Sequence, residues 1–131
     1  MIVVDASVVL EILLGTASGR RFESDLYARS GSWNVPHLLD TEVLQVLRRL
    51  VRARQLDVER ALLAVEDLGH LDLLRHGHAE LAARVWELRN NLTAYDATYL
   101  ALAEALGATL VSGDRSFDRV PGRRAPVEVW R

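Results

Sequence analysis

The sequence predicts an α/β domain of the doubly wound class, a central parallel sheet with helices on both faces, and three observations carry that prediction. Short runs of β-branched and apolar residues, Ile2–Val4 and Thr109–Val111 above all, alternate along the chain with segments of helical period. Both runs lead into an acid, Asp5 directly and Asp114 after Ser112 and Gly113. Two more acids, Glu42 and Asp96, interrupt the apolar faces of helices. Open parallel sheets bind ligands beyond the carboxyl ends of their strands, so the strand-end acids lie on the functional edge.

Composition fits one such domain. The chain has 131 residues and is 50% hydrophobic, enough for one sizeable core and too little for two. A single domain over residues 1–131 is expected. No stretch approaches the roughly 20 uninterrupted apolar residues of a membrane span, and the N-terminus has no basic region with a cleavage site. A cytoplasmic protein with no membrane partner is the expectation. The absence of cysteine excludes disulfides, thiol nucleophiles and Cys-based zinc sites. All 16 basic residues are Arg, so neither a P-loop lysine nor a Schiff-base lysine exists here. A net charge of −2 does not by itself point to nucleic acid.

In chain order, Ile2, Val3 and Val4 read as a buried strand with Asp5 at its end. Ser7 to Leu14 is too densely apolar for a surface helix, so a half-buried helix follows, closed by Gly15. Ser18 and Gly19 open an amphipathic covering helix over Arg20 to Arg29, ended by Ser30 and Gly31. Trp33 to Pro36 forms a short strand, because Pro36 cannot continue a ladder. Leu38 to Arg54 carries a broad apolar stripe that Glu42 breaks. Asp40 lies in the first turn of that helix, where an acid meets the dipole favourably, and its role is read as structural.

Gln55 to Asp57 breaks the chain, and Val58 to Leu68 continues as a helix ending near Gly69. Leu71, Leu73 and Leu74 suggest the third strand. His76, Gly77 and His78 then begin a helix through Asn90. No zinc-type carboxylate pattern accompanies His76 and His78, so a capping or surface role is expected of them. Thr93 is a natural N-cap for an Ala- and Leu-rich helix that Gly107 ends. Asp96 shares a face there with Tyr99, Leu100 and Ala103, the face such a helix buries. Thr109 to Val111 is a buried strand, Asp118 follows Asp114 by one short turn, and Val127 to Trp130 adds an edge strand.

The chemistry follows from the acids. Burying an unpaired charge is costly, and Asp5, Glu42, Asp96 and Asp114 converging on one sheet edge repel each other unless a positive charge sits among them. With no lysine and no persuasive histidine, the candidate is a divalent metal, and all-oxygen ligation suits Mg²⁺ or Mn²⁺. Such a site serves phosphodiester hydrolysis, which makes the chain a nuclease by this reading. Asp5 and Asp96 are placed to ligate most directly, Asp114 completes the cluster, and Glu42 ligates or orients water. One metal and two are both compatible with this set.

The opening IVVDASVVLE, the helix acid Glu42, the segment LTAYDATYLALAEALGATLVSGDRSF and the spacing between them resemble a PIN domain of the VapC-type toxin group. The resemblance covers essentially the whole chain. It implies a PIN-like three-layer α/β/α fold and metal-binding acids at Asp5, Glu42, Asp96 and Asp114, with Ser7 a polar residue beside the site. Asp118 matches a further acid that many relatives have. Ser112 stands where the family often has Thr, which keeps the hydroxyl. The resemblance further implies a magnesium-dependent endoribonuclease acting on structured RNA such as tRNA or rRNA, a homodimer, and inhibition by a cognate VapB-type antitoxin whose C-terminal tail covers the active site. A response-regulator receiver usually relies on a lysine, which is absent. A haloacid-dehalogenase-type phosphatase wants a second Asp where Ser7 stands. The remaining alternative is a catalytically inactive PIN-like protein-binding scaffold, against which the complete set of buried-face acids argues.

Overall fold

In the computed structural model, which describes residues 1–29 and 31–131, parallel strands β1 (Ile2–Val4), β2 (Trp33–Pro36), β3 (Leu73–His76), β4 (Thr109–Ser112) and β5 (Val127–Val129) form one sheet in the order β3-β2-β1-β4-β5. Ser30, expected in the turn before β2, lies outside the described residues. Helices α1 (Ala6–Leu13) and α2 (Ala17–Ala28) connect β1 to β2, and α3 (Leu38–Arg52) and α4 (Val58–His70) connect β2 to β3. Helices α5 (Ala82–Glu87) and α6 (Ala94–Leu106) lead to β4. Right-handed crossovers place α1–α4 on one face and α5 and α6 on the other, because the chain moves one way from β1 to β3 and back across to β4. This is the expected α/β/α architecture, with its topological switch between β1 and β4.

The central strands are apolar because both of their faces are covered. Val3, Val4, Val35, Leu110 and Val111 are wholly buried. The β1–β4 register pairs Val3 with Leu110 and Val4 with Val111, so the two strands end side by side. Their ends, Asp5 and Ser112, therefore meet. Gly107 terminates α6 in the left-handed conformation at φ 64°, which a glycine adopts without a Cβ penalty.

Three expectations shift. The second helix starts at Ala17 with Thr16 as its cap, the Thr16 hydroxyl accepting from Gly19 N at 2.9 Å, so Gly19 lies inside the helix. Its role is close approach: a Cβ there would stand 1.9 Å from the Glu11 carbonyl oxygen, at the crossing of α1 and α2. The third strand runs Leu73–His76 instead of starting at Leu71, since its backbone pairs with Trp33–Pro36 and His37 N donates to His76 O at 2.8 Å.

The helix expected over His76–Asn90 is accordingly much shorter. A single 3₁₀ turn, Ala79–Leu81, precedes the six residues of α5. His76 is no cap: its Nε2 bonds Asn34 Oδ1 at 2.8 Å, while the Asn34 amide donates to Ile2 O at 3.0 Å, so the pair knits three adjacent strands beneath the site. The His37 and His78 rings meet edge to face with centroids 6.5 Å apart. No helix among the described residues is long and apolar enough to cross a membrane.

Candidate active site

Asp5 is where strand chemistry turns into helix chemistry. It follows β1 and caps α1, with Oδ1 accepting from Val8 N at 3.3 Å and from the Ser7 hydroxyl at 2.6 Å. Its other oxygen, Oδ2, accepts from the Ser112 hydroxyl at the end of β4. The Ser112 oxygen in turn accepts from Asp114 N at 2.9 Å, and Ser7 Oγ accepts from Gly113 N at 2.9 Å. Both serines therefore lie against Asp5, and each ties the β1 edge to the β4 edge. Burial raises the Asp5 pKa against the pull of these hydrogen bonds, and the charge of Asp114 pushes the same way.

Glu42 reaches the same edge from α3. It is half-buried, and its Oε1 accepts from the Tyr99 phenol at 2.7 Å. Burial raises its pKa, the Tyr99 hydrogen bond opposes that, and the Asp5 charge adds to it. Tyr99 is the residue the sequence reading passed over as a helix-face neighbour of Asp96. Burial and its bond to Glu42 push the phenol pKa up, so it stays a donor.

Asp96 sits in the first turn of α6, capped by Thr93, whose hydroxyl accepts from Asp96 N at 3.1 Å. Its position is less anomalous than the buried-face reading implied, because a helix N-terminus favours an acid. Even so its pKa rises from 3.8 to about 6, through burial first and then the charges of Asp114, Asp5 and Glu42. Asp114 is exposed and caps the 3₁₀ turn Arg115–Arg119 through Ser116 N at 2.8 Å. Asp118 is also exposed, its backbone oxygen accepts from Arg123 at 2.7 Å, and it is not among the charges that perturb the other acids.

Asp5, Glu42, Asp96 and Asp114 thus come from four different segments into electrostatic reach of one another, and every charge perturbing the three raised acids is another carboxylate. Among the described residues, no arginine is among the charges that shift these three acids. An all-oxygen, uncompensated cluster at a parallel-sheet switch point is a donor set that fits a hard divalent cation. Among the described residues, no group of three acids or histidines stands close enough together to hold an ion as the side chains lie.

Residues 2–123 match the PIN domain family. The chain belongs to that family. It is 37% identical over 129 residues to Ribonuclease VapC9 of Mycobacterium tuberculosis, covering 98% of each chain. To Ribonuclease VapC1 of the same organism it is 38% identical over 130 residues, covering 98% of this chain and 97% of that one. This PIN domain therefore groups with the VapC ribonucleases. Its fold also matches VapBC2 from Rickettsia felis, solved bound to a promoter DNA fragment, with a TM-score of 0.73 and 17% identity over the whole of both chains.

Proposed function

We propose that this VapC-type PIN domain is the toxic ribonuclease of a type II toxin–antitoxin pair, a metal-dependent endoribonuclease that a cognate VapB-type antitoxin holds in check. The observation that carries the reading is the convergence of Asp5, Glu42, Asp96 and Asp114 on one edge, where the charges that act on the three raised acids are other carboxylates. Kinship with chains named ribonucleases supplies the reaction class. The four acids would hold Mg²⁺, with Mn²⁺ as a substitute. When bound, the ion supplies charge stabilisation on the scissile phosphate and a more acidic attacking water.

The protein's own residues prepare that chemistry. Ser7, Ser112 and Val8 N hold both oxygens of Asp5, so its carboxylate is fixed in orientation before any ligand arrives. Tyr99 occupies Glu42 Oε1 and leaves Oε2 to ligate or to take a proton from water. Asp96, whose pKa burial and the neighbouring carboxylates raise to about 6, would be one of the ligands, and cation binding there would favour its ionised form. Structured RNA such as tRNA or rRNA is the substrate class we assign, and a homodimer the assembly. Exposed Leu44, Val58 and Leu62 on α3 and α4 give apolar surface for a partner chain.

The test is cleavage of total cellular RNA by protein freed of any co-purifying partner, with Mg²⁺ or Mn²⁺, with chelator, and beside Asp96→Asn. Discrete fragments that need the metal and vanish in the variant support the reading. Absence of cleavage together with absence of metal binding in calorimetry overturns it in favour of an inactive scaffold.

A further inference from the structure

Beside the acid cluster lies a groove of about 430 Å³ that shares Glu42 with the four-acid site and none of its other three acids. One wall is a stripe of α3, Glu42, Gln45, Val46 and Arg49, and the other is Tyr95 at the start of α6. Tyr95 is 64% exposed although it is a large aromatic residue, and it directly precedes the candidate ligand Asp96. Among the described residues it stacks on no other ring. Arg49 makes no ion pair among the described residues. The groove therefore contains a candidate metal ligand and brings together an amide, an apolar side chain, a free aromatic face and an unpaired guanidinium.

Each part matches one part of a nucleotide. An exposed tyrosine face stacks on an unpaired base, and stacking tolerates any base because every base has a π-face. Gln45 presents both a donor and acceptor to a base edge. Arg49 lies seven residues, roughly 10 Å of helix, beyond Glu42, far enough to bind a phosphate next to the scissile one rather than the scissile one itself. A paired base stacked inside a duplex cannot offer its face to Tyr95.

We infer that this groove is a nucleotide subsite, in which Tyr95 stacks on a single unpaired base of the RNA flanking the cut while Arg49 holds the adjoining phosphate. The inference rests on the ribonuclease reading and narrows its substrate to an unpaired position within the RNA. Tyr95 and Arg49 are positioning residues, since neither touches the reacting atoms.

The experiment is initial-rate cleavage of a panel of single-stranded oligoribonucleotides and their duplexes by wild type, Tyr95→Ala, Tyr95→Phe and Arg49→Gln, with thermal melts of each variant. Expected are a KM about tenfold higher for Tyr95→Ala, the size of one lost base stack, near recovery in Tyr95→Phe, and a shallower salt dependence in Arg49→Gln. Melting temperatures should stay together, because both side chains are exposed. Duplexes should compete poorly. Equal KM for Tyr95→Ala and wild type, or a Tyr95→Phe as impaired as Tyr95→Ala, overturns the subsite while leaving the ribonuclease intact. A wild type that cleaves no RNA with metal overturns both. Unchanged KM with loosened binding of the co-expressed antitoxin reassigns the groove to the protein partner and likewise overturns the subsite.

Discussion

The Tyr99 phenol donates to Glu42 Oε1 at 2.7 Å, and this bond joins α6 to α3 across the end of the sheet. It fixes which oxygen of Glu42 faces the cluster and lowers a carboxyl pKa that burial raises. Tyr99→Phe keeps the buried ring and removes only the hydroxyl. The expected cost is about 1.5–3 kcal/mol, the worth of a hydrogen bond to a charged group, read as a fall of roughly 5–11 °C in melting temperature. The Glu42 pKa should climb further, and NMR titration of its carboxyl carbon checks that. An unchanged Glu42 titration would show that the phenol does not govern this acid.

The acid cluster should make the metal-free protein less stable at neutral pH than in mild acid. Asp96 has a folded pKa of about 6 against 3.8, so between those values the folded chain holds a proton that the unfolded chain has released. Stability from this group is full below the lower value and is lost as pH rises through about 6. Asp5 and Glu42 are raised as well and act in the same sense. Glu104 and Glu128, which are lowered, lose their contribution only in stronger acid. Because Asp96 is half-exposed, its share is on the order of 1 kcal/mol after solvent screening. Calorimetric melts in chelator should therefore give a higher melting temperature at pH 5 than at pH 7, and both Asp96→Asn and added Mg²⁺ should flatten the difference. A melting temperature that rises from pH 5 to pH 7 would contradict the uncompensated cluster.

Much of this arrangement is legible in the sequence, and the rest is hidden for physical reasons. Ile2–Val4 and Thr109–Val111 are covered on both faces, so they read as apolar runs, and their end residues Asp5, Ser112 and Asp114 fall where those runs stop. Thr93 and Gly107 mark α6 by local capping chemistry. Leu73–His76 is an edge strand with only Leu73 buried, so its apolar pattern is too thin to fix its register. His76 and Asn34 are both paired in the ladder through their backbones and joined through their side chains, and that side-chain bond leaves no periodic trace. Tyr99 looks like any core aromatic until Glu42, 57 positions away, is brought beside it.

Gly19 should prove intolerant of the smallest side chain. In a typical helix interior Gly→Ala stabilises by about 1 kcal/mol. Here the added Cβ would stand 1.9 Å from Glu11 O and 2.8 Å from Ile12 N, both backbone atoms with no rotamer to give way. Gly19→Ala must push α2 off α1, at an expected net cost of about 1–3 kcal/mol. The denaturant midpoint reads it, and a midpoint equal to or above wild type would show that the two helices part freely.

Two arginine–carboxylate pairs of similar geometry should differ sharply in worth. Arg75 Nε meets Asp40 Oδ2 at 2.7 Å, with both side chains about one-third exposed (33% and 33%). Arg84 Nε meets Glu104 Oε1 at 2.7 Å with exposures of 17% and 7%. The second pair is also embedded in further bonds, since Arg84 donates to Gly122 O at 2.8 Å and Glu104 accepts from Arg124 N. Removing Asp40 leaves a solvated arginine, and Asp40→Ala should cost no more than about 1 kcal/mol beyond the small dipole contribution of an acid in the first turn of α3. Removing Arg84 strands a shielded carboxylate between α5, α6 and the Gly122 loop, and Arg84→Ala should cost about 3 kcal/mol or more. The carboxyl of Glu104, now held below its ordinary value chiefly by Arg84 against burial, should also move upward. Parallel urea melts of the two variants check the contrast, and equal losses would mean that burial does not set the value of these pairs.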